Sequence, residues 1–251
     1  MLEVWIYSLI SVIIVSLISV VGVLTFLLSH ERLRSLLLYM VSFSVGGLFG
    51  DAFIHLIPEA VEEIGFGLNM SLCILFGLVS SFIMEKFMQW RHCHIPTSAE
   101  HPHPFAYMNL FGDAVHNFID GLLIAGSYLA TDSLSVGIAT TFAVIFHEIP
   151  QEIGDFGVLV YGGFSRSKAL LFNFLSAITA IVGALVFLAL SPYIKDYTIY
   201  LLPFAAGEFI YIAGSDLVPE LHKETNPSKS TLQLIAFIFG LAMLFLLILL
   251  E

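Results

Sequence analysis

The chain has 251 residues, 58% hydrophobic and 12% charged, with a formal net charge of −11. A soluble domain is about 45–50% apolar and about 25% charged, so this apolar excess cannot be hidden in one water-soluble core. The acidic balance argues against a nucleic-acid partner, and the two cysteines, Cys73 and Cys93, are too few for a disulfide framework.

Crossing a hydrocarbon core of roughly 30 Å takes about 20 mostly apolar residues. Eight segments meet that need: residues 4–28, 36–57, 69–88, 105–129, 135–161, 169–190, 197–218 and 231–250. The first exceeds a signal-peptide core and has no basic residues ahead of it, so it reads as a retained span. Breaker-rich stretches join the spans. The expected fold is an all-α membrane protein of eight transmembrane helices, one transporter domain over residues 1–251. Arg32, Arg34, Lys86, Arg91, Arg166, Lys168, Lys223 and Lys229 fall in the odd-numbered loops, against Lys195 alone in the even ones. That bias predicts cytoplasmic odd loops and both termini on the far side.

In chain order, Gly46, Gly47 and Gly50 give the second span a small-residue packing face. Asp51, His55 and Glu59 follow on one side of it and could line an entrance. His55-Leu-Ile-Pro-Glu59 is echoed by Asp216-Leu-Val-Pro-Glu220 at the end of the seventh span. Five helices separate the two, so equivalent positions run in opposite directions, as in inverted-repeat transporters; equally, Pro-Glu can simply end a helix at an interface. The loop at 91–104 holds His92, Cys93, His94, His101 and His103. It is either a weak metal sink or a solvated connection.

The chemistry concentrates on spans four and five. Asp113, His116, Asn117 and Asp120 fall within an arc of roughly 100° on a helix. Imidazole and carboxylate on one face suit zinc and neighbouring metals; the competing reading is polar pairing between helices. Span five reads His147-Glu148-Ile-Pro150-Gln151-Glu152-Ile-Gly154-Asp155, with His147 and Gln151 one turn apart and Glu148 and Glu152 likewise. Buried carboxylates at membrane depth need protons, partners or a cation, and neither span has an interior lysine or arginine. Pro150 predicts a kink and a freed carbonyl at Phe146.

These motifs resemble the ZIP family of zinc and iron transporters over nearly the whole chain. His116-Asn117-Phe-Ile-Asp120-Gly121 matches that family's HNxxDG pattern, and span five is similar to the HExPHE-xGDF signature of one subfamily. Gly50-Asp51-Ala-Phe-Ile-His55-Leu-Ile-Pro58-Glu59-Ala60 is similar to its GDAxxHLxPHA stretch. The resemblance implies an eight-helix 3+2+3 bundle with an inverted repeat in a plasma or inner membrane, and a homodimer as its assembly. It also implies a main transport site of His116, Asp120, His147 and Gln151, with Asn117 and Glu148 completing an adjacent one. Glu152 joins them as a candidate ligand from the same motif. Zinc would be the cargo rather than a catalytic cofactor. Gln151 stands where the subfamily has His and other branches have Glu, and an amide binds zinc more weakly. That departure widens the expected cargo to iron, manganese, cobalt and cadmium. Glu59 is a milder departure, standing where the subfamily has His. An intramembrane metallohydrolase is the enzyme alternative, but the second histidine of H-E-x-x-H is replaced by Gln151. A metal sensor without flux is the third reading.

Overall fold

The computed structural model describes residues 2–92, 102–130, 134–194 and 197–248. Cys93, His94 and His101, offered above as a metal sink, lie outside the described residues. Among those described, every regular element is helical and no strand occurs. The helical rods are α1 (Leu2–Leu27), α2 (Glu31–Ile64), α3 (Leu68–His92), α4 (Pro104–Ala130), α5 (Leu134–Tyr161), α6 (Arg166–Ile194), α7 (Thr198–Leu221) and α8 (Pro227–Ile248). Six of them, α1, α2, α3, α6, α7 and α8, are long and apolar enough to cross a membrane. Helices α4 and α5 are not among the six, because their acids, amides and histidines lower their apolar content.

Local chemistry sets the ends. Ser29 Oγ accepts from the Arg32 amide at the start of α2, and Ser165 Oγ does the same for Lys168 at the start of α6. Asn226 Oδ1 takes the Ser228 and Lys229 amides at the start of α8. Gly65, at φ +73°, closes α2 in a conformation that side chains disfavour.

Three helix pairs cross at backbone contact. A Cβ on Gly46 would lie 2.1 Å from the Phe237 carbonyl, and one on Gly240 2.3 Å from that of Phe43, so α2 and α8 touch through reciprocal glycines. Gly77 and Gly207 do the same for α3 and α7, and Gly121 and Gly183 for α4 and α6. Lipid offers no hydrophobic drive between helices, so close backbone packing at small residues supplies the attraction. Helices α4 and α5 pack on each other, on α1 and on α6; α5 also lies against α2, and α4 against α7.

Polarity is inverted relative to a soluble protein. Leu24, Phe76, Leu234 and Phe239 are exposed, while Asp51, Asp113, Asp120, Glu148, Glu152 and Asp155 are buried. With apolar chains outside, acids inside and backbone groups satisfied within helices, the molecule is a multi-pass membrane protein.

Two helices carry irregular turns. Helix α5 is α-helical throughout, Pro150 included. The wide turns are π-helical segments at Asp51–Leu56 in α2 and Ile212–Leu217 in α7. Each ends just before a proline, Pro58 and Pro219, which cannot donate and crowds the preceding turn. A π turn relieves that crowding and re-aims the residues it carries.

Candidate metal centre

His116 and Asp120 are one turn apart on α4, and His147 and Glu148 are adjacent on α5. Packing of α4 on α5 brings one ligand atom from each of the four within 4.8 Å of the others. His116 Nε2 lies 3.5 Å from Asp120 Oδ2 and 3.5 Å from Glu148 Oε1, and His147 Nε2 lies 3.3 Å from the same Asp120 oxygen. These are long for charge-assisted hydrogen bonds. Ligands held at zinc-bond lengths in a tetrahedron stand about 3.4 Å from one another, and these three pairs lie close to that spacing, with all four atoms within 4.8 Å. Both nitrogens of His116 and both oxygens of Glu148 are buried without hydrogen-bond partners, a state that is costly unless something else satisfies them. The set can hold a dication of the zinc class.

Helix α2 adds a second row. Asp51 is 1% exposed; its Oδ2 lies 3.7 Å from His116 Nδ1, and its Oδ1 accepts from His55 Nδ1 at 2.8 Å. His55 Nε2 lies 3.4 Å from Glu59, and its ring centroid is 5.3 Å from that of His147. The π segment carries both Asp51 and His55, so its wide turn delivers them to α4 and α5. Asp51 thereby holds His55 beside the cluster and sets its free oxygen near His116 without a hydrogen bond to it. Asp51→Asn should weaken binding of zinc to the purified protein about tenfold, the size expected for a group that orients a ligand. Calorimetric titration measures this, and an unchanged affinity would remove Asp51 from the centre.

A cavity of about 770 Å³ is lined by Asp120 and His147 of the cluster together with His55, Glu59, Glu62 and Glu63. His116 packs on Phe209, with ring centroids 5.0 Å apart.

The other expected site residues are placed differently. Asn117 turns its Nδ2 to Asp113 Oδ1 at 2.9 Å, leaving its own Oδ1 without a partner. Glu152 accepts a short hydrogen bond from Asn173 of α6. Gln151 lies beside Ser44, Leu48 and Leu244, between α2 and α8, and its buried Nε2 has no partner. Asn173, Ser176 and Asn109, which hold the acids of α4 and α5, escaped the sequence reading; single polar residues in apolar spans were the available signal.

The family model described as ZIP Zinc transporter matches residues 2–105 and 92–248. The chain belongs to the ZIP zinc transporter family. This ZIP chain is 30% identical to zinc transporter SLC39A7 of Mus musculus over 310 residues, covering 89% of itself and 65% of that relative. It is 32% identical to zinc transporter ZIP13 of Danio rerio, covering 86% of itself and 76% of the fish protein. Against the ZIP13 homolog of Drosophila melanogaster the identity is 30%, with 96% and 88% covered. The chain thus spans about two thirds of the length of the SLC39A7 relative, and the match runs through every helix described above. The family is one of transporters rather than enzymes, which sets aside the hydrolase reading.

Proposed function

We propose that this ZIP protein carries divalent metal ions, zinc first, across a membrane through the cluster of His116, Asp120, His147 and Glu148. The observation that carries the proposal is the convergence of four buried ligand groups, two of which, Asp120 and His147, line a cavity that also holds Glu59, Glu62 and Glu63. The names of the relatives, zinc transporters throughout, support the choice of metal. The bundle is read as eight spans in a 3+2+3 arrangement. Its inverted repeat is supported by the matched π segments of α2 and α7 and by the paired glycine crossings α2/α8 and α3/α7, which interchange under the repeat. The positive-inside bias puts the cavity mouth, near Glu62 and Glu63, outside the cytoplasm with both termini. The state described is then outward-facing, and transport is influx by alternating access. Glu62 and Glu63 concentrate cations at the mouth, His55 and Glu59 lead inward, and imidazole and carboxylate replace the hydration shell at the centre.

Proteoliposomes holding a zinc-sensitive dye test the reading directly. The expected result is saturable zinc influx competed by cadmium, iron and manganese. Binding without flux would instead favour a sensor. Total absence of divalent flux across sealed vesicles would overturn the proposal. Gln151 lies outside the four-residue cluster, so Gln151→His should leave the competition between zinc and iron unchanged; a shift toward zinc would bring Gln151 into the site.

A further inference from the structure

Helices α4 and α5 run antiparallel, and three residues join Ala130 to Leu134. That covalent link ties one end of the pair, and the four ligand groups lie near its middle. The far end is held by polar contacts between the two helices. Asn109 Nδ2 of α4 donates to Asp155 Oδ1 of α5 at 2.9 Å, and both residues are only 2% exposed. Beyond them the His103 amide donates to the Gly162 carbonyl at 2.8 Å, and a Cβ on Gly162 would lie 2.6 Å from that of Ala106.

Spacing connects the Asn109–Asp155 bond to the metal centre. Asn109 stands seven residues before His116, and Asp155 seven residues after Glu148. Seven residues are nearly two full turns, so each lies on the same side of its helix as the ligand, about 10.5 Å along the axis. His116 Nε2 and Glu148 Oε1 stand 3.5 Å apart. The amide–carboxylate bond therefore repeats the register of that ligand pair two turns away. Sliding α5 along α4 by one residue, about 1.5 Å, would break a bond whose length tolerates only a few tenths of an ångström. The same slide would spoil a centre whose ligand distances must hold to about 0.2 Å. Burying a carboxylate costs more than burying an apolar side chain, and Asp155 Oδ2 has no hydrogen-bond partner at all. Buried polar groups of this kind are best attested as devices that fix register. We infer that Asn109 and Asp155 are positioning residues for the transport site. Their bond sets α5 axially against α4, and with it the distances from His116 and Asp120 to His147 and Glu148. The inference rests on the transport reading and deepens it.

The test uses the full-length protein in nanodiscs, with zinc as the probe in calorimetric titration well below the melting temperature. Asn109→Leu removes the donor and keeps the Asp155 charge, so zinc affinity should fall about tenfold, as for loss of a group that orients a ligand. The exchange Asn109→Asp/Asp155→Asn leaves one amide donating to one carboxylate, so affinity should return to within about threefold of wild type. A merely structural bond would lower the melting temperature of Asn109→Leu and leave the zinc affinity of the folded protein alone. Wild-type affinity in Asn109→Leu, or a tenfold loss in the exchange variant, overturns the inference. If Asn109→Leu does not fold, the exchange variant decides by itself: recovered affinity supports the register bond, and lost affinity overturns it. Zinc uptake by wild-type proteoliposomes is measured alongside. If uptake proceeds while Asn109→Leu binds zinc as wild type does, the positioning role falls and the transport reading stands; if wild type carries no divalent ion, both fall.

Discussion

Asp120→Ala is expected to lower divalent-metal uptake by more than about 100-fold, beyond the 10–100-fold typical of losing a group that only supports a ligand. Asp120 touches both histidines of the cluster through one oxygen, 3.5 Å from His116 and 3.3 Å from His147. It also lines the cavity, where an arriving ion meets it. Without it the imidazoles lose the anion between them, and the cluster keeps a single carboxylate, Glu148. The metal-free variant supplies its own stability baseline, because Asp120 pairs with His147 in the protein and losing a buried partner costs stability by itself. Two measurements therefore separate function from folding. Uptake collapses, and the rise in melting temperature that zinc produces in wild type disappears, since that rise depends on binding to the folded state. Wild-type uptake by the variant would remove Asp120 from the transport site.

The second large effect is on folding. Gly121 follows Asp120 directly, and a Cβ there would lie 1.9 Å from the Ala180 carbonyl; on Gly183 it would lie 2.0 Å from that of Phe118. The atoms in the way are backbone, so α4 and α6 must separate along their crossing. Gly121→Ala and Gly183→Ala should each cost about 2–3 kcal/mol, the upper range for forcing extra atoms into a packed interior. For a chain of this size that lowers the melting temperature by about 5–10 °C. Gly47 supplies the control, because nothing stands within 4 Å of its added Cβ. Gly47→Ala should be neutral or stabilising, by up to about 1 kcal/mol from helix propensity. Equal melting temperatures for Gly47→Ala and Gly121→Ala would contradict the crossing.

The two variants sit on neighbouring residues and test different things, which bears on what a sequence reader can see. The four residues that the structure brings together, His116, Asp120, His147 and Glu148, stood out in the sequence because a helix of known period carries them and because acids in apolar stretches contrast with their surroundings. The small-residue face of Gly46 and Gly50 was legible for a similar reason, although its partner α8 was not. The prolines Pro58 and Pro219 each follow a π turn, which the sequence did not signal, whereas Pro150 sits inside a continuous helix. Asn117, Gln151 and Glu152 share a helix face with the ligands or neighbour them in sequence. Asn117 turns back along its own helix to Asp113, while Gln151 faces the α2/α8 side and Glu152 meets Asn173 of α6.

Composition and periodicity alone determined that this chain is helical, that it lives in a bilayer and that two of its helices, α4 and α5, gather acids and imidazoles. Those properties follow from the transfer free energies of single residues and from the pitch of one helix. Only the tertiary structure decided that Asp51 joins the centre from α2, that His55 stands beside His147, and that Asn173 and Ser176 hold the acids of neighbouring helices. Such pairings depend on how rods far apart in sequence cross, and those crossings are set by backbone contact at a few glycines, which no single helix records.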